Sequence, residues 1–298
     1  MSEVRMLLNE PLARHTSFGI GGPADLYAVA HSVAELVELV LLARRLAVPH
    51  LVLGGQTNIL VSDQGIRGLV VENQAQGVIL QAHNDTATLT AESGVPLADL
   101  ARYLIHCGWA GLEWAVDIPG SVGGAVLGNA GAYGGYIGDA LVQVTMLDAA
   151  GTVRQVPAAE LGLGYRTSRL KQEAVAGRRE NILLAADFTL RREPAEALLA
   201  RAAGYSQRRW ELMPPEPSAG SIFKRTADHP AGWLIEQAGL KGTRLGRAQI
   251  SPRHANVIVN LGGATAADVR ALMTLAQRRV QEQFGVGLEP EIELLGEW

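Results

Sequence analysis

The sequence predicts an α+β fold, and three observations predict it. Helix and strand periodicities alternate over the first quarter, strand hairpins follow, and the composition turns Ala/Arg/Leu-rich near residue 194 before a last stretch that mixes both. With 298 residues, 48% hydrophobic and 19% charged, the chain can bury a sizeable core, as one large or two or three smaller domains.

The elements read in order as follows. Ser32-Val33-Ala34-Glu35 has the form of a capping box before an apolar-periodic run, which predicts a helix over 33–46. A short buried strand at 50–53 ends in Gly54-Gly55, and 66–71 is a β-branched strand. Runs at 77–82 and 86–91 flank His83-Asn84-Asp85 as a hairpin, and a helix covers 97–107. A second hairpin joins 142–147 to 152–156, with Gly151 available for positive φ, and 182–190 is another strand. Residues 194–210 have helical periodicity that Pro214, Pro215 and Pro217 cannot continue, so the main boundary is expected near 194. Beyond it come a strand at 221–224, a helix at 231–238, a strand at 256–260, a long helix opening at Thr265 and a final strand over 287–295.

Charge narrows the function classes. Lys plus Arg total 26 against 30 Asp plus Glu, a net charge of −4, with no basic run, so nucleic acid and anionic membrane are not expected partners. No apolar stretch reaches the length of a bilayer span, and the start of the chain lacks the basic-then-apolar order of a signal peptide. Cys107, the sole cysteine, cannot form an intramolecular disulfide, and its apolar helical setting predicts an inert core thiol. A soluble cytoplasmic protein, with no metal and as a monomer, is the expectation.

Glycine is the compositional anomaly: 34 residues, about 11% against a usual ~7%. Ten lie between Gly108 and Gly138, and smaller clusters occupy 19–22 and 54–55. Consecutive bare amides can turn together towards phosphate oxygens, and a dinucleotide pyrophosphate would suit such a nest; tight turns and close strand contacts are the alternative. Neither a Gly-x-x-x-x-Gly-Lys-Ser/Thr loop nor a Gly-x-Gly-x-x-Gly opening a helix is present, so a P-loop and a Rossmann site are not expected.

Eight segments in order carry a specific resemblance: HTSFGIGGPADLY from His15, LGGQTNILVSDQGIRGLVV from Leu53, GLEWAVDIPGSVGGAVLGNAGAYGG from Gly111, GYRTSRL from Gly164, PSAGSIFKR from Pro217, AGWLIEQAGLKG from Ala231, HANVIVN from His254 and GVGLEPEIELLG from Gly285. The chain resembles the UDP-N-acetylenolpyruvoylglucosamine reductase (MurB) family over nearly its whole length. The resemblance implies an FAD-binding fold of the p-cresol methylhydroxylase/vanillyl-alcohol oxidase type, with two α+β subdomains at 1–70 and 71–193 and a C-terminal α+β substrate domain at 194–298. It also implies non-covalent FAD and NADPH as hydride donor, with UDP-N-acetylglucosamine enolpyruvate reduced to UDP-N-acetylmuramate for peptidoglycan synthesis.

Residue by residue, the resemblance makes Arg166 the enolate-stabilising arginine, Ser221 the proton donor to carbon and Glu291 the C-terminal catalytic glutamate. A carboxylate beside developing negative charge needs a proton or a cationic partner, so a raised pKa or an Arg/Lys neighbour is expected for Glu291, which a strand over 287–295 would place on one face with Glu289 and Glu293. For FAD the matching positions are Gly19, Gly21, Gly22, Gly54, Gly55, Gln56, Thr57, Asn58, Ile118, Pro119, Gly120, Ser121, Gly123, Gly124, Ala130 and Gly131. For substrate they are Tyr133, Tyr165, Lys224, Arg225 and Lys241, with Arg244 a further candidate by charge.

Three departures stand out. Gln56 and Thr57 replace Gly-Ser of the family's Leu-Gly-x-Gly-Ser-Asn, Arg225 replaces an asparagine, and Leu212-Met213 stands where Gln-Pro is usual. The compact stretch after Arg166 looks like the shorter class, without a tyrosine-bearing lid insertion. Two rivals remain: an FAD oxidase of the same fold acting on a small alcohol or sugar, and a non-catalytic nucleotide-binding protein.

Overall fold

The computed structural model describes residues 5–298. They form two compact units: residues 5–6, Ala28–Gly55 and Leu69–Arg208 make the first, and Leu7–Tyr27, Gln56–Gly68 and Arg209–Trp298 the second. This differs from the three consecutive segments expected, because the first 70 residues divide between both units.

In the first unit, an antiparallel sheet runs in the order Val153–Pro157, Leu141–Leu147, Ile182–Arg192, Thr86–Glu92, Val78–His83, with Trp109–Ala110 added to the long central strand. Period-two alternation buries Ile182, Leu184, Ala186, Phe188 and Leu190 of that strand, and Phe188 faces Leu89 with both side chains fully buried. The first hairpin is tighter than expected: His83 pairs with Thr86, leaving Asn84 (φ 53°) and Asp85 as the turn. In the second hairpin Gly151 does take positive φ, at 82°. The helices Leu97–His106 and Val122–Leu127 contribute Leu97, Leu100, Leu104, Val122 and Val126 to the same core. Cys107 ends the first of these helices half-buried, so it lies at the core margin and not inside it.

Elsewhere in this unit the strand His50–Leu53 runs parallel to the Leu69–Glu72 part of Ile66–Asn73. The helix Val33–Arg45 precedes it, capped by Ser32, whose hydroxyl accepts from the Glu35 amide, while the Glu35 carboxylate accepts from the amide of His31. The helix Ala195–Leu212 stays with the first unit as far as Arg208, well beyond the expected boundary at 194. Its buried Leu198 and Ala202 pack with Ile105, Ala110 and Val116, and Arg201 pairs with Glu113 at 2.5 Å and Glu193 at 2.6 Å.

The second unit is built on an antiparallel sheet in the order Ser218–Ser221, Val257–Asn260, Ala248–Ile250, Arg244–Leu245. The helices Ala231–Gln237 and Ala266–Phe284 supply Leu234, Ile235, Val269, Leu272, Met273 and Val280 to its core. Thr265 and Asp268 form a complete capping box at the start of the long helix. Two strand expectations need correction. The strand expected at 221–224 ends at Ser221, because Gly220 (φ 72°) breaks the register with Val257–Asn260. The strand expected over 287–295 shrinks to Glu293–Leu295, parallel to Ile59–Val61; Pro290 has no amide to give a ladder and makes one isolated bridge, to Phe223. Among the described residues no helix is long and apolar enough to cross a membrane.

Replacing Phe188 by Ala is expected to cost about 3–5 kcal/mol by deleting a buried ring, against under about 0.5 kcal/mol for Val153→Ala at a site 52% exposed. Thr265→Ala, which removes a cap, should cost about 1 kcal/mol. Denaturant midpoints for the three variants check the order.

Candidate active site

In the first unit, two of the expected glycine loops meet backbone to backbone. A Cβ on Gly54 would lie 2.1 Å from Ser121 Oγ, and one on Gly55 would lie 2.7 Å from the Gly120 Cα. No side chain can occupy these positions without moving a loop. Ser121 caps the helix Val122–Leu127, its hydroxyl accepting from the Gly124 amide at 3.4 Å. The amides of Val122 and Gly123 donate to Val95 O and Ser93 O at 2.9 and 2.8 Å, and a Cβ on Gly123 would lie 2.8 Å from that of Ser93. Gly123 and Gly124 therefore hold the loop in place with amides already engaged, which leaves the preceding residues, 118–121, and the facing Gly54-Gly55 as the better cradle for an anionic ligand.

The next glycine-rich stretch is a two-rung hairpin, Gly131–Ala132 against Gly135–Tyr136. Its turn residues, Tyr133 and Gly134, both have positive φ, 55° and 89°, as a type I′ turn requires. Trp114 packs so closely on Gly135 that a Cβ there would be 2.4 Å from the indole. The Tyr133 ring, 37% exposed, stacks on Tyr205 at 4.6 Å between centroids and 8° between planes.

Arg166 sits in the Gly164–Thr167 turn, which two backbone hydrogen bonds of 3.0 and 3.3 Å close. Its φ is 55°, unusual for a side chain of this size, and its Nη2 donates to Gly131 O at 2.7 Å while the guanidinium lies over the exposed Tyr165 ring, 5.5 Å from the centroid. Asn129, which the sequence reading overlooked, ties this turn to the glycine segment: its Nδ2 donates to Gly164 O at 2.9 Å and its Oδ1 accepts from the Gly138 amide at 3.0 Å. Asn129 is buried at φ 42°, and an Asn between Gly128 and Ala130 was the available signal. Ala130 extends the same framework, its carbonyl accepting from the Ile137 amide.

In the second unit the expected chemistry-bearing residues converge on one backbone patch. Buried Asn256, also overlooked, brackets Phe223: its Oδ1 accepts from the Phe223 amide at 3.0 Å and its Nδ2 donates to the Phe223 carbonyl at 2.8 Å. On the other edge, the Glu291 amide donates to Ile222 O at 2.7 Å and the Lys224 amide to Glu289 O at 2.9 Å. Glu291 thus lies one backbone hydrogen bond from the residue after Ser221, although it is outside any strand. Lys224 Nζ pairs with the Glu289 carboxylate at 2.6 Å, so the shared-face reading of three glutamates gives way to an ion pair beside Glu291. Asn58 joins the patch by donating from Nδ2 to Glu291 O at 3.1 Å and accepting at its carbonyl from Glu293. Burial pushes the His254 pKa below its ordinary value, and the neutral ring accepts at Nδ1 from the Asn256 amide at 3.2 Å.

The remaining positions divide by role. Gln56 is buried at φ 52°, so the backbone keeps a left-handed conformation where the family pattern has glycine, and Thr57 follows it. Gly21 and Gly22 are spent on packing: a Cβ on Gly22 would lie 2.2 Å from Asp63 O, and one on Gly21 3.0 Å from the Val61 Cβ. Gly19 (φ 63°) ends a turn whose carbonyl accepts from Asn260 Nδ2 at 3.3 Å. Arg225 and Arg244 are exposed, and Lys241 pairs with Glu236 at 2.9 Å.

Comparison with known proteins gives a consistent assignment. The model of the UDP-N-acetylenolpyruvoylglucosamine reductase C-terminal domain matches residues 213–295, and an FAD binding domain model matches residues 24–157. The chain is 44% identical over 288 residues to the UDP-N-acetylenolpyruvoylglucosamine reductase of Chloroflexus aggregans, covering 96% of each, and 41% identical to that of Chloroflexus aurantiacus, covering 98% of each. The crystal structure of the reductase from Thermus caldophilus superposes with a TM-score of 0.81 at 35% identity, covering 98% of both chains. The chain belongs to the UDP-N-acetylenolpyruvoylglucosamine reductase (MurB) family of oxidoreductases.

Proposed function

We propose that this protein reduces the enolpyruvyl ether of UDP-N-acetylglucosamine to the lactyl ether of UDP-N-acetylmuramate, with NADPH as hydride donor and FAD as carrier. The observation that carries this reading is the hydrogen bond from the Glu291 amide to Ile222 O, which joins the segments of Ser221 and Glu291, remote in sequence, into one patch. Non-covalent FAD, when bound, supplies hydride at its N5. Gly54 and Gly55, with Ile118, Pro119, Gly120 and Ser121, fit such a group, since their loops meet where no Cβ fits. Gln56, Thr57, Asn58, Ala130 and Gly131 flank these loops in sequence or in the hairpin.

Reduction of the substrate double bond leaves negative charge on the adjacent carbon and its carboxylate. Arg166 meets that charge with a guanidinium held at Nη2 by Gly131 O, so little reorientation is needed as the charge grows. Ser221 gives its proton to the carbon, and the cation at Lys224, two residues beyond Ile222, favours the alkoxide left behind. Glu291 cooperates with Arg166 at the enolate, and its pKa is raised by that role or balanced by Lys224. Tyr133 and Tyr165 offer exposed rings, and Lys224, Arg225 and Lys241 offer cations, to the nucleotide-sugar. The setting is cytoplasmic and the protein a monomer.

The purified protein should show an oxidised-flavin spectrum that acid denaturation releases into solution. Ser221→Ala should leave flavin bleaching by NADPH within about twofold and slow flavin recolouring by the enolpyruvyl substrate by about 10²-fold or more, followed by stopped-flow absorbance. Normal recolouring in that variant, or oxygen consumption with simple sugars and none of the enolpyruvyl reduction, would overturn the reading in favour of the oxidase.

A further inference from the structure

The hairpin 131–136 holds Arg166 through one carbonyl, yet it has two rungs of its own. Isolated hairpins are marginal even when longer. Its turn also begins with an aromatic residue at φ 55°, where a type I′ turn favours Asn, Asp or Gly. An outlier of this kind persists only where its surroundings over-determine it. Ile137 adds one strut, its amide donating to Ala130 O at 2.9 Å, and Trp114 closes on Gly135 from below. Neither touches the tip, where Tyr133 is 37% exposed.

The tip meets the helix Ala195–Leu212, which the function described above does not use. Leu198, Ala202 and Tyr205 follow one another at helical spacing; the first two are buried against Ile105, Ala110 and Val116, and Tyr205 continues the stripe to the edge of that core. There its ring lies nearly parallel to Tyr133 at 4.6 Å. The helix itself is locked by Arg201, which pairs with Glu193 at 2.6 Å and with Glu113 at 2.5 Å. Burial alone would raise the Glu113 pKa, but the Gly111 amide at 2.7 Å and Arg201 outweigh it and hold the carboxyl below its ordinary range. Glu113 immediately precedes Trp114, so both grips on the hairpin, at Gly135 and at Tyr133, lead back to the Arg201–Glu113 pair.

We infer that Tyr205 is a positioning residue: by stacking on Tyr133 it fixes the hairpin tip, so that Gly131 presents its carbonyl to the Arg166 guanidinium. The inference rests on the proposed role of Arg166 and adds to it a residue that touches neither substrate nor flavin. The requirement is for a flat ring, since the contact is a stack, and Phe should serve in place of Tyr.

Three holoenzyme variants decide the matter: Tyr205→Ala, Tyr205→Phe and Arg166→Lys, with the Tyr205→Ala/Arg166→Lys double variant. Hydrogen exchange of the 131–137 amides should speed up by about tenfold or more in Tyr205→Ala and stay as in the parent in Tyr205→Phe. Flavin recolouring by the enolpyruvyl substrate should slow by about tenfold in Tyr205→Ala, flavin bleaching by NADPH should stay within about twofold, and Phe should restore the parent rate. The double variant should be no slower than Arg166→Lys alone, because both changes remove the same placement. Unchanged exchange in Tyr205→Ala would overturn the stack as a grip. Faster exchange with parental recolouring, or equal slowing of both half-reactions, would overturn the link to Arg166 while a slow Arg166→Lys leaves the reductase reading standing. An Arg166→Lys variant as fast as the parent would defeat the assigned role of Arg166, and this inference with it.

Discussion

Close backbone approach is the constraint on which the candidate site depends. Where Gly54 and Gly55 meet Gly120 and Ser121, a single methyl group would overlap atoms of the facing loop. The approach fixes the path of two segments distant in sequence and leaves their peptide groups, with no side chains between, as the surface offered to a ligand. The same demand recurs at Gly123 against Ser93, at Gly131 against the Tyr136 ring and at Gly135 against Trp114. The glycine surplus is thus two populations: residues that open a cradle and residues that let its walls pack.

Strain gathers around the same framework. Among the described residues seven non-glycine positions have positive φ, and four of them, Gln56, Asn129, Tyr133 and Arg166, lie in segments expected to serve the site. Each left-handed residue of this kind costs of order 1 kcal/mol, and packing or polar contacts offset it. Asn129 is held by two hydrogen bonds, Arg166 by a closed turn and a carbonyl, Tyr133 by a stacked ring. The return is orientation, because a group already aimed need not reorganise when charge develops beside it.

In the second unit, buried carboxamides do comparable work. Asn256 satisfies both polar groups of Phe223, and Asn260 accepts from the Gly262 and Ala264 amides while donating to Phe18 O. Buried side-chain amides of this sort are costly unless fully paired, so they admit one arrangement of the loops they bridge. Here that arrangement brings the residues after Ser221 alongside Glu289 and Glu291. The apolar core below, from Phe223 to Leu288 and Ile292, supplies stability but would tolerate other registers without these amides.

Local pattern in the sequence was enough to place most elements. The capping residues Ser32 and Thr265, the two hairpins and the period-two run from Ile182 all describe interactions between near neighbours, which the chain encodes directly. The motifs were enough to identify the family and to single out Arg166, Ser221 and Glu291. What only tertiary structure decided depends on contacts between segments far apart. The division of the first 70 residues between two units, the shortening of the last strand by the Pro290–Phe223 bridge, the left-handed Gln56 and the bracketing by Asn129 and Asn256 belong to this class. The boundary at Arg208 instead of 194 belongs there too, because Leu198 and Ala202 find their partners nearly a hundred positions earlier in the chain, beyond the reach of any local period.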